Sequence, residues 1–233
     1  MSPLAAVLLD VGGIFHLPSH EHVLGACGRA GFTADADRLD RAHYRGVTAF
    51  HTEYTGELPW SEMWGGYLER YVDEIGAPAD VRADVIEHLQ QEFTAGGLWS
   101  RVIPGSLDDL RTLAATGVRL GVISNADGTV AVRLREQEVL QVGSGVGVPV
   151  ECVIDSGDVG VLKPDPRIFK IALDALGITA DEAWYVGDMP GIDVVGARAA
   201  GINPFVMDPY GFLGGNGYDT ITTLRDLAAR IER

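Results

Sequence analysis

The feature that most constrains this chain is a short apolar run that stops abruptly at a polar residue and then recurs. Leu4-Ala5-Ala6-Val7-Leu8-Leu9 ends at Asp10, with Gly12-Gly13 just beyond. A run with no polar position has no side to offer solvent, so it reads as a strand buried on both faces that empties into a tight loop. The same pattern returns in Val118 to Ile123 before Ser124-Asn125, in Val150 to Ile154, in Ala183 to Val186 before Gly187-Asp188, and in Ile202 to Met207 before Asp208-Pro209.

Helical patterns fall between these strands. Ser106 is expected as an N-cap, with Leu107, Leu110 and Leu113-Ala114 as one apolar stripe. Asp165 is expected to cap a helix whose first residue is Pro166, whose stripe is Ile168-Phe169, Ala172-Leu173 and Leu176, and whose stop is Gly177. Leu224, Leu227-Ala228 and Ile231 form a last stripe. Strands alternating with helices of this length predict an α/β fold: a Rossmann-like three-layer core with a mainly parallel sheet.

Residues 15–100 break the rhythm with helix-like stretches near 20–30, 35–50, 60–74 and 79–94, separated by Gly31-Phe32-Thr33, Gly56 to Pro59 and Gly76-Ala77-Pro78. This predicts an inserted all-helical cap over 15–100, with the catalytic core formed by 1–14 and 101–233. Trp60, Trp64, Tyr67, Leu68 and Tyr71 form an aromatic stripe that reads as cap core more readily than as a substrate wall.

In an open parallel sheet, ligands bind beyond the carboxyl ends of the strands. Those ends carry Asp10, Ser124-Asn125, Lys163 after a longer loop, and Asp188 with Asp193 five residues on. A carboxylate nucleophile, hydroxyl and amide donors, a fixed cation and a carboxylate pair for a divalent metal are what phosphoryl chemistry needs.

These four segments resemble the four motifs of the haloacid dehalogenase superfamily of hydrolases, in that family's order. Asp10-Val11-Gly12-Gly13-Ile14 is similar to the first motif, Ser124-Asn125 to the second, Lys163-Pro164 to the third, and Gly187-Asp188-Met189-Pro190-Gly191-Ile192-Asp193 to the fourth. The helical insertion after the first motif is similar to the family's smaller cap. The resemblance implies in-line attack by Asp10 on phosphorus and an aspartyl-phosphate that water hydrolyses. It also implies Mg²⁺ held by Asp10, the Gly12 carbonyl and Asp188, with a small phosphate ester as substrate. Lys163 would neutralise developing charge and hold the nucleophile, Ser124 would bind substrate, Asn125 would bind substrate or position the nucleophile, and Asp193 would support the metal or orient Lys163.

One departure stands out. The family's phosphatases usually carry a second aspartate two residues after the nucleophile as general acid and base, and here that position is Gly12. General acid-base assistance commonly contributes about 10²- to 10⁴-fold, so its loss implies slow or specialised turnover. His16, six residues after Asp10, is a candidate replacement, against the blander reading of a solvated junction histidine. Arg45, near Arg41 and Tyr44 on a presumed helix, is a candidate contact for an anionic substrate.

Two rival functions stay open. A 2-haloacid dehalogenase also uses an aspartate nucleophile, but needs no metal and lacks the Gly-Asp start of the fourth motif. A binding protein with the same phosphoryl pocket and little turnover is the other, favoured by Gly12.

Composition trims the rest. Hydrophobic residues make up 46% of 233 residues, enough for a core and an inserted subdomain. Eighteen Lys and Arg against 33 Asp and Glu give a charge of -15, which repels nucleic acid. Leu4 to Leu9 is too short for a bilayer span or a signal core, so no membrane association and a cytoplasmic location are expected. Cys27 and Cys152 have no metal or redox spacing and read as buried thiols. A monomer or homodimer is expected.

Overall fold

The computed structural model describes residues 3–52, 60–95 and 97–232. The chain divides into two compact units, one made of Met1–Phe15 with Pro104–Arg233, the other of His16–Ile103.

The first unit is built on a six-stranded sheet. Its strands are β1 (Ala6–Leu9), β2 (Arg119–Ser124), β3 (Cys152–Asp155), β4 (Ala183–Gly187), β5 (Asn203–Met207) and β6 (Thr220–Ile221). Their spatial order is β6-β5-β4-β1-β2-β3, and every neighbouring pair is parallel. The four residues of β1 are wholly buried, as expected for a central strand covered on both faces. From β1 the chain builds outward through β2 and β3 on one side, then returns to β4 on the other. That reversal is a topological switch point, where an open sheet leaves a crevice at its carboxyl edge. Register sets Leu9 beside Val122 and Val186, so the segments following β1 and β4 leave the sheet side by side.

Helices cover the sheet because their apolar stripes match it. Asp165 accepts a hydrogen bond from Arg167 N at 2.9 Å, Pro166 opens the helix Pro166–Leu176, and Gly177 ends it in the left-handed region at φ 64°. Its buried face, Ile168, Phe169, Ala172, Leu173 and Leu176, packs with Leu8, Ile123, Ile154 and Tyr185. The helix Leu224–Ile231 lies against Ser106–Ala115, with Arg225 Nε 2.5 Å from Asp109 Oδ1.

Three local expectations are revised. Gly105, at φ 83°, takes the N-cap position and Ser106 is the first, buried helical residue. The run Val150 to Ile154 is split at Glu151, an exposed residue paired with Arg119. Val148–Val150 joins Leu140–Val142 in a separate two-stranded sheet, while Cys152–Asp155 enters the main one. The two-residue β6 is too short to leave a periodic signal.

The second unit is helical: His20–Arg29, Leu39–Val47, Ala49–Thr52, Trp60–Glu74 and Arg82–Ala95. An antiparallel ribbon of His16–Pro18 with Trp99–Val102 joins its two ends. The aromatic stripe is the core of this unit. The Tyr67 ring lies 5.1 Å from Trp64, 5.7 Å from Tyr71 and 5.9 Å from Phe93. His43, fully buried, sits with Nδ1 3.0 Å from the Tyr67 hydroxyl. The Gly56 to Pro59 break and the Trp60 side chain lie outside the described residues. Among the described residues, no helix is long and apolar enough to cross a membrane.

Candidate active site

Three strand ends of the first unit each contribute a part. Asp10 follows β1, Ser124 closes β2 with Asn125 next, and Asp188 follows β4. Asp193 lies in a π-helical turn, Pro190–Val194, a rare geometry often found at functional sites. Its Oδ2 accepts from Met189 N at 2.9 Å, which ties the turn to the strand end.

These pieces converge on Lys163. Its ammonium lies 2.8 Å from Asp10 Oδ2, 2.8 Å from Asp193 Oδ1 and 2.9 Å from the Tyr185 hydroxyl. The other oxygen of Asp10 accepts from Val11 N at 2.7 Å, so both carboxylate oxygens are fixed. Asn125 grips the Lys163 backbone from both sides: Oδ1 accepts from Lys163 N at 2.7 Å and Nδ2 donates to Lys163 O at 3.0 Å. Its amide therefore holds the lysine that faces the nucleophile.

Asp10, Asp188 and Asp193 each offer an oxygen within 4.8 Å of the others. Two glycines make that density possible. A Cβ on Gly13, which has φ 65°, would overlap the Asp188 carboxylate, and one on Gly187 would overlap that of Asp193. Three buried carboxylates carry two more negative charges than Lys163 neutralises. Burial first, then repulsion from Asp193 and Asp188, pushes Asp10 up to about 7 despite Lys163. Burial and Asp193 likewise raise Asp188 well above the usual carboxylate range. For Lys163, burial acts downward, but Asp10 and Asp193 outweigh it and keep the ammonium charged.

A cluster of hard oxygen donors short of positive charge suits a divalent cation. Asp193 also accepts from Lys163, Tyr185 and Met189 N. Asp10, Asp188 and Asp193 together are the carboxylates placed closely enough for such an ion.

The other sequence candidates are placed as follows. Ser124 is buried at the end of β2, opposite Asp155 of β3. Gly12 is half-buried in the loop after β1. Arg45 and His16 belong to the helical unit. Arg45 is exposed on Leu39–Val47, and His16, 2% exposed, is a strand residue of the ribbon and not a solvated junction. Sequence reasoning missed Tyr185, hidden inside an apolar strand. It also missed Ser156, whose hydroxyl accepts from Ala126 N at 3.0 Å and donates to Ala126 O at 3.1 Å, pinning the loop after Asn125.

A family model for the haloacid dehalogenase-like hydrolases matches residues 47–207, well over half the chain. The chain belongs to that family. Among its relatives, a phosphoglycolate phosphatase of Rhodospirillum rubrum is 41% identical over 130 residues, 56% of this chain and 49% of that protein. A phosphoserine phosphatase of Thermus thermophilus is 48% identical over 67 residues, covering 29% of this chain and 27% of that one. In these two matches, the haloacid dehalogenase-like chain aligns with half or less of the curated relative. Among solved structures, the magnesium-bound HAD-hydrolase YfnB of Bacillus subtilis aligns over 100% of both chains with TM-score 0.57 and 17% identity. A HAD phosphatase of Thermococcus onnurineus aligns over 98% of both, with TM-score 0.56 and 22% identity. At those identities the likeness is one of fold.

Proposed function

We propose that this hydrolase is a magnesium-dependent phosphatase that cleaves a small phosphate monoester through an aspartyl-phosphate on Asp10. The observation that carries the reading is the Lys163 ammonium 2.8 Å from Asp10, beside a carboxylate group with room in its charge balance for a divalent ion. The phosphatases among its relatives support it.

Asp10 and Asp188 would hold the magnesium, with the Gly12 carbonyl as a further donor. When bound, the ion supplies Lewis-acid stabilisation of phosphoryl charge. Asp10 attacks phosphorus, forming an oxygen–phosphorus bond as the ester oxygen leaves with the bonding pair. Lys163 keeps the attacking carboxylate aimed, and Ser124, at the end of the neighbouring strand, donates to a phosphoryl oxygen. Water then attacks the aspartyl-phosphate, releasing inorganic phosphate and restoring Asp10. Gly12 has no proton to give, so the departing alkoxide takes one from solvent or substrate, which favours leaving groups that need little protonation.

The test is phosphate release from sugar phosphates, nucleotides and short organic phosphates, with and without Mg²⁺, beside Asp10→Asn. Release that needs Mg²⁺ and drops by about 10³-fold or more in the variant is expected, the scale seen when a covalent nucleophile is removed. Equal release by Asp10→Asn would sink the nucleophile assignment. Chloride release from 2-haloacids without Mg²⁺ would replace the phosphatase with a dehalogenase.

A further inference from the structure

Tyr185 sits in the middle of β4 with no exposure at all, yet its hydroxyl reaches the charged cluster. We propose that Tyr185 is a positioning residue for the nucleophile: it takes up one N–H of Lys163 and so fixes the direction in which the ammonium holds Asp10. The kinetic part of this inference rests on the phosphatase reading.

The hydrogen-bond count carries the argument. An ammonium has three protons and no acceptor. Those of Lys163 face Asp10 Oδ2 at 2.8 Å, Asp193 Oδ1 at 2.8 Å and the Tyr185 oxygen at 2.9 Å. The single proton of the Tyr185 hydroxyl goes to Asp193 Oδ1 at 2.8 Å. Lysine, tyrosine and aspartate thus close a triangle in which each proton has one destination, and Asp10 is the acceptor outside it. The side chains of Lys163 and Asp193 are 2% and 1% exposed, so bulk water does not substitute for a missing member.

The ring is as fixed as the hydroxyl. Phe169 meets it edge-on at 5.0 Å, and strand register sets Tyr185 beside Leu8 of β1. Phenylalanine fills the same space, so Tyr185→Phe removes the oxygen and little else. The freed N–H then has no partner, the ammonium gains rotational freedom, and the nucleophile loses its fixed aim.

The chain has only two lysines, Lys163 and Lys170, which permits a direct readout. With lysine labelled at the side-chain nitrogen, nitrogen–proton correlation spectra contain two ammonium signals, and Lys170→Arg assigns them. Wild-type protein is expected to show a slowly exchanging signal from Lys163. In Tyr185→Phe that signal should broaden or vanish while the melting temperature stays within a few degrees. Absence of the slow signal from the wild type would overturn the three-point hold without any variant, and an unchanged signal in the variant would overturn the part played by the hydroxyl.

Kinetics form the second arm. Tyr185→Phe should lower kcat about 10-fold with KM within about 2-fold, less than the ~10² that a 1 Å misplacement can cost. A purely structural residue would leave kcat per folded molecule intact, and a substrate-binding one would raise KM; either result refutes positioning. A wild type that releases no phosphate from any substrate would refute the phosphatase reading instead, and the ammonium spectrum would still decide the case of Tyr185.

Discussion

Gly13 lets Asp188 stand where a side chain would otherwise be, and its left-handed backbone is one that other residues adopt only under strain. Gly13→Ala should therefore displace the Asp188 carboxylate, cost about 1–3 kcal/mol of stability, and weaken Mg²⁺ binding by at least ~10-fold, a loss worth ~1.4 kcal/mol. Calorimetric titration of the folded variant checks this, and undiminished Mg²⁺ affinity would contradict it. Asp10, Lys163 and Asp188 could be picked out in the sequence because each follows an apolar run or a loop with its own composition. Tyr185 could not, since a tyrosine within a buried strand reads as packing, and its hydroxyl finds its partners in Asp193 and in a lysine 22 residues away. The partner of Asn125 was out of reach for the same reason, since its two bonds go to a backbone 38 residues distant.

At the level of elements, Pro166–Leu176 was the clearest to read because cap, proline start, stripe and glycine stop all agreed. The split at Glu151 and the brief β6 were not, since both depend on which strand lies alongside for pairing. Phe169 shows what the helix contributes. It is wholly buried, packs in the same cluster as Ile123 and Ile154, and meets the Tyr185 ring. Phe169→Ala should cost about 3–5 kcal/mol, the usual range for emptying an aromatic site in a core. Urea unfolding measures it, and a loss below ~1 kcal/mol would show that the site collapses around the gap.

For the molecule as a whole, the α/β core with a helical insertion followed from alternation and its interruption, but acid sensitivity did not. His43 is buried in the second unit, and burial lowers its pKa to about 3. Because the folded value lies below the ordinary one, the unfolded chain takes up the proton first. The contribution is fully present above pH ~6.5 and is lost as pH falls toward about 3, at up to ~1.4 kcal/mol per pH unit. His43→Gln, which can still bond the Tyr67 hydroxyl, should flatten that dependence. Thermal melts at pH 7 and pH 4.5 are expected to show a Tm drop smaller by about 5 °C in the variant, and parallel drops would remove His43 as the cause.

The order of strands has a consequence for how the chain reaches its native state. β1 is made first yet lies in the interior of the sheet, and its partners β2 and β4 begin more than a hundred residues later. Such pairings give a high contact order, and the loop-closure entropy falls due before the contacts that offset it. A nascent chain that stops short of Ala183–Gly187 holds an apolar strand with one edge bare, the condition under which strands find the wrong neighbour.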